Sequence, residues 1–214
     1  MPGRPLPYDD DALAALRAQT KRLLRKRLRA LRRALPEEAR AARSAEVTSR
    51  VAAMPEWGSA RTVGLYVSMA DELDTAGLIG RALSAGKRVA LPVAGDRGPL
   101  TFRLGWEGDL ALPREYSAFG VEEPTAQCPV IAHAELDLVL VPALAVDLRG
   151  YRLGYGAGYY DQTLPLCERA LTVAGVFDFQ LVGEVPTEPH DVAVRWVITD
   201  ARAVDVHANE TEVQ

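Results

Sequence analysis

Three glycines at alternate positions, in Arg152-Leu153-Gly154-Tyr155-Gly156-Ala157-Gly158-Tyr159-Tyr160-Asp161, constrain this chain more than any other stretch. Alternate glycines let a backbone adopt φ angles closed to other residues and approach a ligand closely. The preceding run Leu136–Val141 reads as a buried strand, and Tyr159–Leu166 as the start of a helix. A strand, a glycine loop and a helix N-terminus aim several backbone N–H groups at one point, which suits a phosphate. Arg152 adds a planar fork of donors matched to phosphate oxygens. Asp161 adds a hard oxygen ligand of the kind Mg²⁺ takes beside nucleotide phosphates. The stretch is a candidate cradle for a polyphosphate and its metal. On spacing alone a plain tight turn competes with it evenly. G-x-G-x-G is not the dinucleotide G-x-G-x-x-G, and no Gly-Lys-Ser/Thr follows to make a P-loop.

The rest of the chain bounds the setting. With 214 residues and 48% hydrophobic content it can bury a full core as one domain with a helical appendage. No apolar run approaches the ~18 residues of a membrane span, and the N-terminus lacks the apolar stretch of a secretory signal. Cys128 and Cys167 lie far apart and outside metal-ligand spacing, so reduced thiols in a cytoplasmic protein are expected. His133, His190 and His207 are scattered and make no zinc site. The net charge of −4 hides an asymmetry: Arg17, Lys21, Arg22, Arg25, Lys26, Arg27, Arg29, Arg32 and Arg33 fall in one stretch that contains no acid. A cationic helix beside an acidic body points to an anionic ligand or to internal charge complementarity.

Met1–Asp10 is Pro-rich and expected to be loose. From Asp11 the pattern turns helical, with Leu24, Leu28, Leu31 and Leu35 on one face. Pro36 ends that helix, and Pro36-Glu37-Glu38 opens a second that runs to about Met54, where Pro55 stops it. Most of the basic residues then form a solvated helix face. Binding to a nucleic-acid backbone is the competing use of such a run, disfavoured here by the acidic body and by the absence of interleaved aromatics. Lys21 and Arg25, four apart, share a face and can reach one triphosphate. Thr62–Ser68 reads as a strand, and Asp74 or Thr75 caps a helix over Ala76–Ser84. Lys87–Leu91 is a strand ended by Pro92, and Leu100–Leu104 another. Trp106–Pro113 reads as a loop, as does the Gly/Pro-punctuated Phe119–Pro124. Leu171–Val176 and Arg195–Thr199 complete the strands, and Ala201–Gln214 is polar and frayed. Strands alternating with helical segments predict an α/β sheet covered on both faces. The expected layout is one domain over residues 11–200, its N-terminal helical segment at 11–54, with 1–10 and 201–214 as loose termini.

The stretch R-L-G-Y-G-x-G-Y-Y-D resembles the signature of the 5-formyltetrahydrofolate cyclo-ligase family, also called methenyltetrahydrofolate synthetase. Lys21-Arg22-Leu23-Leu24-Arg25 resembles that family's K-R-x-L-R opening, and Glu72-Leu73-Asp74-Thr75 its E-x-D/E-T segment. Phe119–Pro124 is similar to its aromatic-Gly-x-x-Glu-Pro element, and Val185-Pro186 with His190-Asp191 to a later stretch, all in the family's order. The resemblance spans Lys21 to Thr199. It implies a three-layer α/β/α fold with a mostly parallel or mixed central sheet, similar to NagB/RpiA/CoA-transferase-like proteins, preceded by N-terminal helices. It implies ATP- and Mg²⁺-dependent conversion of 5-formyltetrahydrofolate to 5,10-methenyltetrahydrofolate, in a cytoplasmic monomer without nucleic-acid or membrane partners.

The resemblance also assigns residues. ATP would be bound by Lys21, Arg22, Arg25, Arg152, Leu153, Gly154, Tyr155, Gly156, Ala157, Gly158, Tyr159 and Tyr160. The folate would meet Val67, Glu72 and the loop from Tyr155 to Tyr159. Asp161 and Asp191 would hold Mg²⁺, and Arg152 and Tyr160 would be catalytic. A carboxylate such as Glu72 suits the 2-amino-4-oxo edge of a pterin, because it accepts two parallel N–H bonds. His190 reads as a structural loop residue rather than a base. The chain departs from the family pattern at Ala143, Val146, Ala157 and Gln162; alanine at 157 would be strained if that position takes a positive φ. No serine elbow or Cys/His pair offers a nucleophile, and the implied reaction needs positioning and charge neutralisation instead. A related enzyme acting on a different substrate at the same nucleotide site, and a non-catalytic RNA-binding module using the basic helix, are the alternative readings.

Overall fold

The structure, a computed structural model, describes residues 10–118 and 120–208. It opens with α1 (Asp10–Ala34), whose first turn carries Asp10 and Asp11 and whose last carries Arg32 and Arg33, each complementing the helix dipole. The expected apolar stripe is only partly right. Leu28 is buried, but Leu31 is 45% exposed while the neighbouring Arg32 is 2% exposed. The helix lies over a polar cleft, so charged partners rather than leucines decide which face turns inward. Next come α2 (Glu37–Ala52), with Pro36 immediately before it, and α3 (Pro55–Ser59). Pro55 therefore starts a helix as well as ending one; at the first position its missing N–H costs nothing.

After β1 (Thr62–Gly64) the chain leaves the sheet sooner than expected, because residues 65–75 turn into the cleft before α4 (Ala76–Ser84). Thr75 holds the N-cap position of α4 without a side-chain cap, its hydroxyl donating instead to the Tyr66 carbonyl at 2.5 Å, while Asp74 just before it accepts the Ala76 N–H at 2.9 Å. The next strand, β2 (Arg88–Val93), runs through Pro92 instead of ending there and pairs antiparallel with β3 (Thr101–Leu104). By the alternation of backbone groups along a strand, the missing donor of Pro92 faces the side on which β1 has already ended. Two short hairpins follow where loops were expected. One pairs β4 (Trp106–Glu107) with β5 (Leu110–Ala111), the other β6 (Arg114–Tyr116) with β7 (Glu122–Pro124). Strands of two or three residues carry no readable periodicity, and Phe119 lies outside the described residues.

The remaining strands are β8 (Val130–Ile131), β9 (Leu138–Val141), the antiparallel ribbon of β10 (Ala145–Val146) and β11 (Arg152–Leu153), β12 (Leu171–Gly175), β13 (Trp196–Ile198) and β14 (Ala203–Asp205). The main sheet has the order β14-β13-β12-β9-β1-β2-β3-β8, parallel from β13 through β2 and antiparallel towards both edges. β14 corrects the expectation of a frayed segment after residue 200, since Ala203–Asp205 pairs with β13; residues 209–214 lie outside the described residues.

Side-chain alternation sorts the core into two layers. Leu138 and Leu140 of β9 pack on one face with Val51, Trp57 and Leu78 of α2, α3 and α4. Val139 and Val141 pack on the other with Val146, Leu164 and Cys167. A one-residue slip of β9 would exchange those sets, so register and layer assignment are fixed together. The second face is covered by the β10–β11 ribbon, the one-turn helix α5 (Tyr159–Thr163) and a 3₁₀ turn at Leu164–Leu166. No helix among the described residues is long and apolar enough to cross a membrane.

This topology places a site. From β1 the chain passes to β2 on one side, whereas β9 and β12 extend the sheet on the other. The order reverses between β1 and β9. In open α/β sheets ligands bind outside the carboxyl ends of the strands at such a reversal.

Candidate active site

A cleft of about 700 Å³ opens at that point, lined by Tyr66 and Val67 beyond β1, Pro142 beyond β9 and one face of α1. The glycine loop forms another wall. It leaves the β10–β11 ribbon rather than the buried strand β9, and the helix that follows is only five residues long. The strand, loop and long-helix arrangement expected from the sequence is thus replaced by ribbon, loop and a single turn. Gly156 has φ +114° and Gly158, immediately before α5, has φ +70°. Ala157 is not at positive φ, so the alanine there is unstrained.

Of the residues singled out in the sequence, all but Arg22 line this cleft: Lys21, Arg25, Val67, Glu72, Asp191 and the whole stretch from Arg152 to Asp161. Arg22, next to the buried Lys21 on α1, is exposed. The helix turns by about 100° per residue, so a neighbour of a cleft-facing residue points away.

At one end of the cleft the Lys21 ammonium donates to Glu188 Oε2 at 2.6 Å and to Asp191 Oδ2 at 3.0 Å. Burial acts to lower the Lys21 pKa, and the two carboxylates more than offset it, leaving it above the ordinary lysine value. Glu188, His190 and Asp191 bring ligand atoms within 4.8 Å of one another. Two of those donors are carboxylates, which suits a hard cation such as Mg²⁺. The His190 imidazole, 71% exposed, is the less apt third donor.

Arg152 is more committed than expected. Its Nη2 pairs with Asp161 Oδ1 at 2.9 Å and its Nη1 donates to the Val192 carbonyl, with the side chain only 3% exposed. Burial lowers its pKa, opposed by Asp161 and then by Tyr160 and Asp191. Asp161 also accepts the Val192 N–H at 3.2 Å. Arg152 and Asp161 therefore fix one another beside the Asp191 end.

At the other end Glu72, 5% exposed, accepts the Tyr155 hydroxyl at 2.5 Å and the Met69 N–H at 3.0 Å. Arg32 donates to the Tyr155 oxygen at 2.6 Å and pairs with Asp71 at 3.1 Å. Burial pushes the Glu72 carboxyl above its ordinary range, against the hydrogen bonds from Tyr155 and Met69. Tyr155, Tyr160 and Tyr66 all have phenols pushed up, first by burial and then by the negative charge of Glu72. All three phenols stay neutral under the influence of one carboxylate, to which Tyr155 donates directly.

Between the ends, Arg25 Nε donates to the Gly154 carbonyl at 3.0 Å, tying α1 to the glycine loop. Sequence reasoning missed Glu188, Arg29 and Arg32. A signal existed for the arginines: positions 21, 25, 29 and 32 follow one helical face. None existed for Glu188, which sits in an irregular segment. Neither cysteine takes part; both are free and buried, and burial pushes the Cys167 thiol up to about 11, which leaves it inert at neutral pH.

Residues 17–200 match the model of a family described as the 5-formyltetrahydrofolate cyclo-ligase family. The 5-formyltetrahydrofolate cyclo-ligase of Mycolicibacterium smegmatis is 37% identical over 189 residues, covering 87% of this chain and 96% of its own length. That of Escherichia coli strain K12 is 34% identical over 182 residues, covering 82% and 97%. Among solved structures, the Aquifex aeolicus 5,10-methenyltetrahydrofolate synthetase superposes with a TM-score of 0.76 at 30% identity, covering 87% of this chain and 92% of that one.

Proposed function

The chain belongs to the 5-formyltetrahydrofolate cyclo-ligase family, and from that premise we propose that it cyclises 5-formyltetrahydrofolate to 5,10-methenyltetrahydrofolate, coupled to conversion of ATP to ADP and phosphate with Mg²⁺ present. The observation that carries the reading is one cleft that unites the basic face of α1, the glycine loop, two carboxylates fit for a hard cation and the buried carboxylate of Glu72.

In this reaction the formyl oxygen attacks the γ-phosphorus, an O–P bond forms and the bond to ADP breaks. N10 of the same folate then attacks the formyl carbon and loses its proton, and the C–O bond breaks as phosphate leaves. No protein nucleophile is required, so the chain contributes position and charge. Lys21 and Arg25 hold phosphates, and the N–H groups of Gly154–Tyr160 cradle them. Arg152 keeps the Asp161 carboxylate aimed into the cleft and offers its remaining N–H to phosphate. Asp191 and Asp161, with Glu188 adjacent, would hold Mg²⁺, which would supply charge neutralisation at the phosphate oxygens. Glu72, Val67 and Tyr160 orient the folate. Arg22, exposed, has no part in the proposed cleft.

Lys21, Arg25 and Arg29 of the basic run line this cleft, which favours a small anionic substrate over RNA. Free thiols fit a reducing, cytoplasmic setting, and the enzyme acts as a monomer whose one domain is residues 11–200 together with β14. Phosphate release across a folate series tests the reading. Turnover with 5-formyltetrahydrofolate and none with unformylated tetrahydrofolate is expected. Equal release with both, or release only with a non-folate substrate, would overturn it.

A further inference from the structure

Along the cleft face of α1 the cations differ in how they are paired. Lys21 is held by Glu188 and Asp191, and Arg32 by Asp71. Arg25 and Arg29, one turn apart between them, enter no ion pair among the described residues. Arg25 spends its Nε on the Gly154 carbonyl, and its guanidinium lies over the glycine loop, 3.7 Å from where a Cβ on Gly156 would be. The Arg29 guanidinium stacks on the Tyr155 ring, 5.0 Å from its centroid, and its Nε is buried without a hydrogen-bond partner. Both side chains line the cleft. Arg29 is close enough to depress the pKa of Arg25, after burial the largest influence on it. Two like charges held side by side in a partly dry cleft, one with an unsatisfied donor, are unfavourable until an anion joins them.

We propose that Arg25 and Arg29 form an anion subsite, between the Lys21–Asp191 end and the Glu72 end, that receives the phosphoryl group as it passes from nucleotide to formyl oxygen. The inference rests on the reaction proposed above, and it adds a residue, Arg29, and a role. The subsite lies on the line between the two substrate ends: α1 carries Lys21 at the phosphate end and Arg32 at the Tyr155–Glu72 end, with Arg25 and Arg29 on the turns between. A guanidinium aimed at the transferred group binds charge spread over its oxygens in the transition state, as arginines do in other phosphoryl transfers. Carboxylates of the folate's glutamyl tail share this oxyanion chemistry and are the competing occupant.

The test compares the full-length enzyme with Arg29→Gln, Arg29→Lys and, as a surface control on the same helix, Arg27→Gln. Binding of ADP alone and of ADP with tetrafluoroaluminate, a mimic of the phosphoryl group in transit, is measured by calorimetry with Mg²⁺ and folate present. Arg29→Gln should bind ADP within about twofold of the native enzyme but lose roughly 10- to 100-fold in affinity for the tetrafluoroaluminate complex, the size of a charge-assisted contact. Its kcat should fall in parallel with little change in either KM. Arg29→Lys should recover part of the loss, and Arg27→Gln should behave as the native enzyme. Equal weakening of ADP and its tetrafluoroaluminate complex would make Arg29 an ordinary nucleotide contact and overturn the proposal. A rise confined to the folate KM would assign the pair to the glutamyl carboxylates and overturn it as well. If the native enzyme binds the ADP complex but forms no methenyl product, the reaction itself fails, a result distinguishable from an unaffected Arg29 variant of an active enzyme.

Discussion

Tyr155, on the glycine loop, donates its hydroxyl to the carboxylate of Glu72 across 2.5 Å, joining positions 83 residues apart at the floor of one cleft. Arg32 completes the link by donating to the same phenol oxygen at 2.6 Å. The glycine stretch and the Glu72 segment, which look like separate features in the chain, are one hydrogen-bonded unit.

Replacing the charge at the end of that unit should weaken folate selectively. Glu72→Gln should raise the folate KM by about 10- to 100-fold while leaving the ATP KM within about threefold, because a charge-assisted acceptor is lost at one substrate only. Steady-state kinetics with each substrate varied in turn distinguish this from a general loss of fold, which would move both.

The pH dependence has a definite sign. Burial raises the Glu72 carboxyl above the ordinary glutamate range, and in its proposed role it must be ionised to accept pterin N–H groups. Folate KM should therefore rise as pH falls through that raised value, at a pH where an exposed glutamate would still be ionised. Tyr155→Phe removes a hydrogen bond that lowers the Glu72 pKa, so the same limb should move to higher pH. Glu72→Gln should abolish it. An identical profile in all three proteins would show that another group titrates.

At the opposite end, Asp191→Asn removes one of the two carboxylates around Lys21. The Mg²⁺ concentration for half-maximal rate should increase about tenfold or more, as expected when a charged oxygen ligand becomes neutral. Titration of activity with Mg²⁺ at saturating ATP reads this directly; an unchanged midpoint would exclude Asp191 as a ligand.

Gly156→Ala probes the loop itself. An added Cβ would sit 3.7 Å from the Arg25 guanidinium, an ordinary contact, so crowding is not the issue. Its φ of +114° is the issue, and forcing alanine there should cost about 1–3 kcal/mol in loop conformation. The ATP KM should rise by about tenfold or more, whereas Ala157→Gly, at a position without positive φ, should leave it within about twofold.

A stability prediction comes from the start of the sheet. Asp137 Oδ2 accepts the N–H groups of Arg61 at 2.8 Å and Thr62 at 2.9 Å, pinning β1 to β9. Burial acts to raise its pKa, and the two backbone hydrogen bonds with nearby arginines bring it below the ordinary value. A carboxylate depressed in the folded state contributes stability that is fully present above the unfolded value near 4 and lost as pH falls through the folded one. Asp137→Asn should cost about 1–2 kcal/mol at neutral pH and flatten the acid limb below about pH 4. Urea unfolding at a series of pH values checks both.

Much of this architecture can be read from residues alone. The apolar run Leu136–Val141, the helix Ala76–Ser84 behind its cap residues and the shared face of Lys21 and Arg25 are legible from residue type and spacing, and the family motifs bring the cleft residues into one set. Other features depend on partners distant in sequence. Arg32 is buried because its two terminal nitrogens meet Asp71, Tyr155 and Glu72, which no helical wheel reveals, and the leucine stripe therefore mispredicts Leu31. Pro92 lies within a strand because β1 stops short of it, a fact of neighbouring strand length. The fork of Arg152 looks free for phosphate in the sequence, yet the fold turns it onto Asp161 and the Val192 carbonyl. Hairpins of two- and three-residue strands leave no pattern to read.

The most direct measurement is absorbance at the methenyl chromophore while the protein is mixed with 5-formyltetrahydrofolate, ATP and Mg²⁺. A rise that requires all three, and that Glu72→Gln slows at subsaturating folate, is the expected result. A flat trace from folded protein that still binds ATP would contradict the cyclo-ligase assignment.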